Sequence, residues 1–381
     1  MKLIFTGDVN FRNKESITLE ESAGALERVM PYFNDADFRI VNLECPLADG
    51  VFEPIKKSGP NLISPSSCLC FLKAGGFDLA TLANNHIGDY GEQPVIDTMK
   101  VLDASGIKHC GAGANLDEAY KAAYLEKDGT RVAVISICEN EFGIAGFERY
   151  GAAGFQLGRT FAAIKREKDN ADFVIVAFHG GNEQNPIPSP KQVERYRLLC
   201  DFGADAVIAG HTHCPQPAEY YNGKPIIYSM GNFFFSSSTE REETDPWFYG
   251  YMVNLDIVKG KGIKYELIPY RAEDDVTIIR VFDGEDKQKM LNYLDSLSEI
   301  LKDEREHQNY FKGWCPHMSC YYAENPLKGN GMERLYPSKN VFGCEAHCEL
   351  ALMNYTILIN GEEELAAEYW EKVQRLMVMP V

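Results

Sequence analysis

Five apolar runs in this 381-residue chain each end in a short polar cluster, and that pattern limits the fold more than any other feature. The runs are LIFTGDVN (3–10), FRIVNLE (38–44), LATLANNH (79–86), FVIVAFHGG (173–181) and AVIAGHTH (206–213). Short continuous apolar runs bounded by turn residues predict buried strands. In an α/β protein the carboxyl ends of such strands share one edge, where ligands bind. The sequence therefore delivers Asp8, Asn10, Glu44, Asn85, His86, His179, His211 and His213 to one neighbourhood. Oxygen and imidazole donors converging on one cleft predict a site for two divalent metal ions.

Helix-like stretches separate these strands up to about residue 270. TLEESAGALERVMPYF (18–33) opens with a Thr–Glu capping pattern, and 94–106 and 190–203 each open with Pro and close with Gly. RVAVISIC (131–138), PIIYSM (225–230), YMVNLDIV (251–258) and KYELIPY (264–270) read as further strands. Several lack a long helix between them, so the later part of the sheet is expected to run antiparallel. The expected product is a pair of sheets, or one mixed sheet, flanked by helices. From 271 to 381 the chain reads as a mainly helical, cysteine-containing extension, with amphipathic helices over 283–307 and 360–378.

Composition narrows the partners. A formal charge of −18 argues against general nucleic-acid binding and against an anionic membrane surface. A small phosphorylated substrate stays compatible, because metal ions supply local positive charge. The start, MKLIFTGDVN, is too weakly apolar for a signal peptide, and no run is long enough for a membrane span. A cytoplasmic location with reduced thiols is the expectation.

Each motif suggests a role. In GHTH, Gly210 permits a sharp turn and His211 and His213 can face one cavity as metal ligands. His179 joins them, and Gly180 and Gly181 allow close backbone approach to an anion. Asp8 is a ligand candidate, with Asn10 as a neutral second donor. Glu44 ends an apolar strand, where a carboxylate is costly unless exposed, paired or metal-bound, and bridging two cations is its most productive use. Asn85 offers a carbonyl oxygen and His86 a proton. His86 and Asp89 form the candidate catalytic pair, in which Asp89 either orients His86 or caps the following helix. Asn232, in GNFFF at the end of another strand, could touch the site, although an ordinary turn is the preferred reading. Loops 45–63 and 236–248 are expected to shape the entrance. In the tail, Cys315, Cys320, Cys344 and Cys348 could hold a structural zinc, although their C-x4-C and C-x3-C spacings are looser than C-x2-C pairs and buried thiols are the preferred reading.

GDVN, NLE, ANNHIGDYG, FHGGNE, GHTHCPQP and GNFFF, in that order over residues 1–270, resemble the capsule-synthesis CapA (poly-γ-glutamate synthesis) family of calcineurin-like metallophosphoesterases. The resemblance implies a four-layer α/β/β/α sandwich with a dinuclear centre. It implies that Asp8 and His213 hold one metal, that Asn85, His179 and His211 hold the other, that Glu44 bridges, and that His86 is catalytic. Two positions depart from the wider superfamily, which has Asp-x-His where this chain has Asp8-Val9-Asn10, and usually Asp where it has Glu44. Proteins of this family are often membrane-anchored, and this sequence shows no anchor. The expected function is a metal-dependent hydrolase attacking a phosphate ester with a metal-bound hydroxide, using Mn, Fe or Zn. The alternative is a capsule or poly-γ-glutamate assembly factor, working with other capsule-biosynthesis proteins, whose site binds or cleaves a carboxylate-rich polymer.

Overall fold

The computed structural model describes every residue except 13–15, 238, 274–276 and 325–330. Residue 238 of the expected entrance loop thus lies outside the described residues. In chain order the first strands and helices are β1 (Lys2–Asn10), α1 (Leu19–Leu26), α2 (Met30–Asp35), β2 (Phe38–Leu43), α3 (Leu69–Gly75), β3 (Leu79–Thr81), α4 (Glu92–Ala104), β4 (Lys108–Cys110), β5 (Ala112–Gly113), α5 (Leu116–Ala119), β6 (Ala123–Lys127) and β7 (Thr130–Cys138). The middle of the chain forms β8 (Gly151–Ala152), α6 (Leu157–Asn170), β9 (Phe173–His179), α7 (Pro190–Asp201), β10 (Ala206–Gly210), β11 (Ala218–Tyr221), β12 (Lys224–Ile227), β13 (Asn232–Phe235), β14 (Tyr249–Val258), β15 (Gly262–Glu273) and β16 (Ile278–Val281). The last part is helical: α8 (Gly284–Ile300), α9 (Glu304–His317), α10 (Met332–Gly343), α11 (Glu345–Asn360) and α12 (Glu363–Leu376).

Two main sheets result, in the orders β16-β15-β14-β1-β2-β3-β4 and β11-β12-β10-β9-β7-β6, with β13 pairing β1 off the first path. Strand periodicity explains how they stack, because successive side chains leave opposite faces. Leu3, Phe5, Ile175 and Ile208 share the layer between the sheets. Their neighbours Ile4, Val174, Val176 and Val207 join the cluster that includes the flanking helices, with Leu26, Phe71, Val95 and Tyr196. The fold is therefore an α/β/β/α sandwich with a helical C-terminal addition. As expected, β14, β15 and β16 run antiparallel.

Three boundaries differ from the sequence reading. The single helix expected over 18–33 is two, because Pro31 at the start of α2 lacks the N–H and the room that a continuous helix needs. The helix expected over 283–307 breaks where Asp303 accepts hydrogen bonds from Arg305 N and Glu306 N and so starts α9. Residue 270 falls inside β15, and the first sheet continues to β16, so the helical addition begins at α8. Phe311, Trp314, Leu350, Ile357 and Val373 give that addition a core of its own.

Candidate metal centre

Strand register lines up the site. Asp8 sits beside Asn42 on β2 and beside Asn232 on β13, while Gly210 sits beside His179 and His179 beside Cys138. Close approach at this edge needs glycine. A Cβ on Gly7 would lie 1.9 Å from the Gly231 carbonyl oxygen, and one on Gly210 would lie 2.7 Å from Asp8 Oδ1. His211 and His213 carry φ of +98° and +56°. That backbone costs a non-glycine residue about 1–3 kcal/mol and persists only where the surroundings enforce it.

The side chains then converge. Glu44, His179 and His211 bring ligand atoms within 4.8 Å of one another, and so do Asp8, Glu44 and His213. Glu44 belongs to both groups and is fully buried, yet neither of its carboxylate oxygens has a hydrogen-bond partner. His179 Nε2 stands 3.6 Å from Glu44 Oε1, and His213 Nε2 stands 3.8 Å from it. His211 Nδ1 and His179 Nε2 are 3.1 Å apart, with Asn85 Oδ1 also 3.1 Å from His179 Nε2. An unpaired buried carboxylate costs several kcal/mol, and a cation between these donors removes that cost. The donor set fits divalent metal.

Neighbouring groups fix the ligands in place. Asn42 Nδ2 donates to Asp8 Oδ1 (2.7 Å) and meets His179 Nδ1 at 3.1 Å. The His211 backbone N–H donates to Asp8 Oδ2, and Asn232 Oδ1 lies 2.8 Å from His213 Nδ1. Asn232 is thus a brace rather than a turn filler, and Asn42 is a brace that its motif did not reveal. Asn10 departs from its expected role. Its amide donates to the Glu44 carbonyl, and its Oδ1 accepts the Arg12 N–H, so both side-chain atoms serve the backbone.

Burial sets the electrostatics. It holds the His179 and His211 imidazoles neutral, far below the ordinary histidine range, and lowers His213 to about 3. It raises Asp8 to about 6 and, with the Asp8 charge, raises Glu44 well above the carboxylate range. Burial and the Glu183 charge also raise Glu141 to about 8.

His86 stands beside these groups, its Nε2 4.0 Å from Glu44 Oε1. Its Nδ1 lies 2.6 Å from Asp89 Oδ2, which also accepts the Leu62 N–H. Asp89 is thus engaged with His86 rather than with α4, whose N-cap is Gly91 and carries no side-chain cap. Lys57 Nζ bonds Asp89 Oδ1 (2.5 Å) and approaches His86 Nδ1 at 3.3 Å. Burial lowers the His86 pKa, Asp89 opposes that, and the Lys57 and Arg12 charges add to it. Lys57 comes from the expected entrance loop, although no sequence signal marked it.

The C-terminal helices reach this edge. Glu345 accepts from the Asn140 N–H and Nδ2, Asn182 Nδ2 donates to the Ala346 carbonyl, and Glu349 accepts from Ser189 Oγ and Lys191 N. Asn140 and Asn182 lie on the loops that follow β7 and β9. The four tail cysteines do not form the suggested zinc site. Cys315 is buried in the helical core, Cys320 is exposed, and Cys344 turns to Glu139 Oε2 at 3.4 Å. Cys344 is the N-cap residue of α11 and Cys348 lies in its first turn, whereas Cys315 belongs to α9. Among the described residues Cys344 groups instead with Glu139 and Glu345, and Arg195 already pairs Glu139 at 2.6 Å.

Residues 2–237, which carry all of these strand-end groups, match the family "Bacterial capsule synthesis protein PGA_cap". The chain belongs to that family. Similar curated proteins include the capsule biosynthesis protein CapA of Bacillus anthracis, 30% identical over 236 residues, or 60% of this chain and 57% of that one. The PGA biosynthesis protein CapA of Bacillus subtilis (strain 168) is 29% identical over 252 residues, covering 62% and 64%. A probable polyglutamine synthesis accessory protein of Mycobacterium tuberculosis is 32% identical over 167 residues, covering 40% and 44%. The chain therefore spans less than two thirds of the length of each. Among solved structures, a putative 5'-nucleotidase from Staphylococcus aureus in complex with alpha-ketoglutarate shares 18% identity at a TM-score of 0.43, over 78% of this chain and 58% of that one. Among the described residues no helix is long and apolar enough to cross a membrane.

Proposed function

We propose that this PGA_cap protein is a metal-dependent hydrolase acting on a phosphate ester. The observation that carries the reading is Glu44, a buried carboxylate with no hydrogen-bond partner, shared by two sets of His and Asp donors. In this reading Asp8, Glu44 and His213 would hold one ion, while Glu44, His179, His211 and Asn85 would hold the other, and Asn10 is left out. Two divalent ions there, Mn, Fe or Zn by their fit to mixed N/O donors, would supply the Lewis acidity that offsets phosphoryl charge and lowers the pKa of water.

The chain's own groups do the rest. His86 passes a proton to the departing oxygen through Nε2, the nitrogen on the Glu44 side. Asp89 is a positioning residue, holding the ring by Nδ1 and stabilising its charged form. Lys57 neutralises Asp89 and restrains how basic His86 becomes.

A second reading keeps the centre and changes the bond cleaved. The curated relatives are named for capsule, PGA and polyglutamine synthesis, and a carboxylate-rich polymer would place carboxylates, rather than phosphoryl oxygens, on the same ions. One experiment separates the two. Mn²⁺-dependent hydrolysis of bis(p-nitrophenyl) phosphate is expected in the wild type and lost in His211→Ala. A folded, Mn²⁺-loaded wild type that leaves this diester intact while cleaving γ-glutamyl peptides would replace the first reading with the second.

A further inference from the structure

Among the described residues, Arg12 is a cation near this centre that the proposed chemistry leaves unused and that no carboxylate holds. Lys57 is held by Asp89 at 2.5 Å, Arg195 by Glu139 at 2.6 Å and Arg241 by Asp245 at 2.9 Å. The Arg12 guanidinium, by contrast, has neither a hydrogen bond nor an ion pair among the described residues, in a chain whose formal charge is −18. It is not a loose surface side chain, since the residue is partly buried and burial works against its charge. A partly desolvated guanidinium without a counter-charge is costly, and an oxyanion matches its planar fork of donors.

The backbone at Arg12 is clamped. Its N–H donates to Asn10 Oδ1 at 2.8 Å, and its carbonyl accepts from Ser236 Oγ at 2.8 Å. The other end of the Asn10 side chain holds the carbonyl of Glu44 at 2.7 Å. Asn10 is therefore a strut between the backbone of the carboxylate shared by both donor sets and the backbone of Arg12. The Arg12 backbone therefore stands one side chain away from that of Glu44, beside both donor sets.

We infer that Arg12 binds a second oxyanion of the substrate, a phosphate or carboxylate lying beside the metal ligands, and that Asn10 positions Arg12 there. This inference rests on the hydrolase reading for its geometry. It narrows the substrate to a molecule with two anionic groups, one at the metal ligands and one a short distance beyond. Arg12 is then a specificity residue, and its loss affects binding of the second anion more than that of the first.

Calorimetric titration tests this with matched probes. Methyl phosphate carries one anionic group, 2-phosphoglycolate adds a carboxylate, and propane-1,3-diol bisphosphate adds a phosphate. The wild type with Mn²⁺ is expected to bind at least one doubly anionic probe about tenfold tighter than methyl phosphate, and which one it prefers identifies the second anion. Arg12→Ala is expected to bring that preference to within twofold, with Mn²⁺ affinity retained. Arg12→Lys keeps part of it, since a point charge replaces the fork. Asn10→Ala, which frees the Arg12 backbone, is expected to fall between. A wild type without the preference, or an Arg12→Ala protein that keeps it, overturns the inference. The titrations are repeated without Mn²⁺. A protein that binds no Mn²⁺ removes the hydrolase reading, and the Arg12 comparison is then read from the metal-free series.

Discussion

The two donor groups that meet at Glu44 are built differently. In one, His179 and His211 bring ring nitrogens to 3.1 Å, and neither imidazole is charged, so the pair presents lone pairs to the same small space. In the other, Asp8 already accepts hydrogen bonds from Asn42 and His211 N, and His213 is held by Asn232. The first group is crowded with nitrogen, and the second is oxygen-rich and braced from outside. A nitrogen-rich position suits Zn or Fe better, and an oxygen-rich one tolerates Mn. The lesson is that one shared carboxylate can serve two coordination environments whose strengths differ.

Removing that carboxylate gives the largest expected effect. Glu44→Gln is expected to abolish binding at both positions, changing the Mn²⁺ stoichiometry in calorimetry from two to zero. Retention of one ion would show that the two groups stand independently of Glu44. The same variant, without metal, is expected to melt at a higher temperature than the metal-free wild type at neutral pH, because Glu44 must take up a proton to be buried and Gln need not.

A smaller effect tests the bracing. Asn232→Ala leaves His213 without its partner and is expected to weaken the Asp8–Glu44–His213 position about 10–100-fold, as loss of such supports usually does. The His179–His211 position is expected to hold within about twofold. Equal weakening at both would mean that the two positions load as one unit.

The mildest probe is pH. The imidazoles are already neutral at pH 7, so binding releases no proton from them. Asp8, raised to about 6, is protonated below that value and must give up its proton to bind a cation. Affinity at the Asp8 position is therefore expected to fall by up to about tenfold more per pH unit below 6 than affinity at the other position. Glu44 contributes equally to both and cancels from the difference. Parallel pH profiles would contradict the assignment of Asp8 to one position alone.

Much of this was legible in the chain because strand ends are local signals. A run such as AVIAGHTH shows both where the strand stops and which groups follow, and five such runs located Asp8, Glu44, Asn85, His179, His211 and His213. Lys57 was illegible, and Asn232 was under-read as a turn, for the opposite reason. Nothing beside Asn232 in sequence announces that β13 lies against β1, and Lys57 meets Asp89 only after a loop folds back across 32 residues. Asn10 was misread because its position in the motif suggested a ligand, whereas its hydrogen bonds go to the backbone on either side. The broken helices failed at single residues, Pro31 and Asp303, whose local chemistry outweighed an otherwise continuous apolar period.

The contacts of α11 with the loops after β7 and β9 also set an order of assembly in time. Every metal-site group proposed here is synthesised by residue 213, well before Glu345, Ala346 and Glu349. At typical translation speeds of about 5–20 residues per second, this edge waits for several seconds or more before its last neighbour leaves the ribosome. A site still open during that interval would sample first the ion pool of the compartment into which the nascent chain emerges.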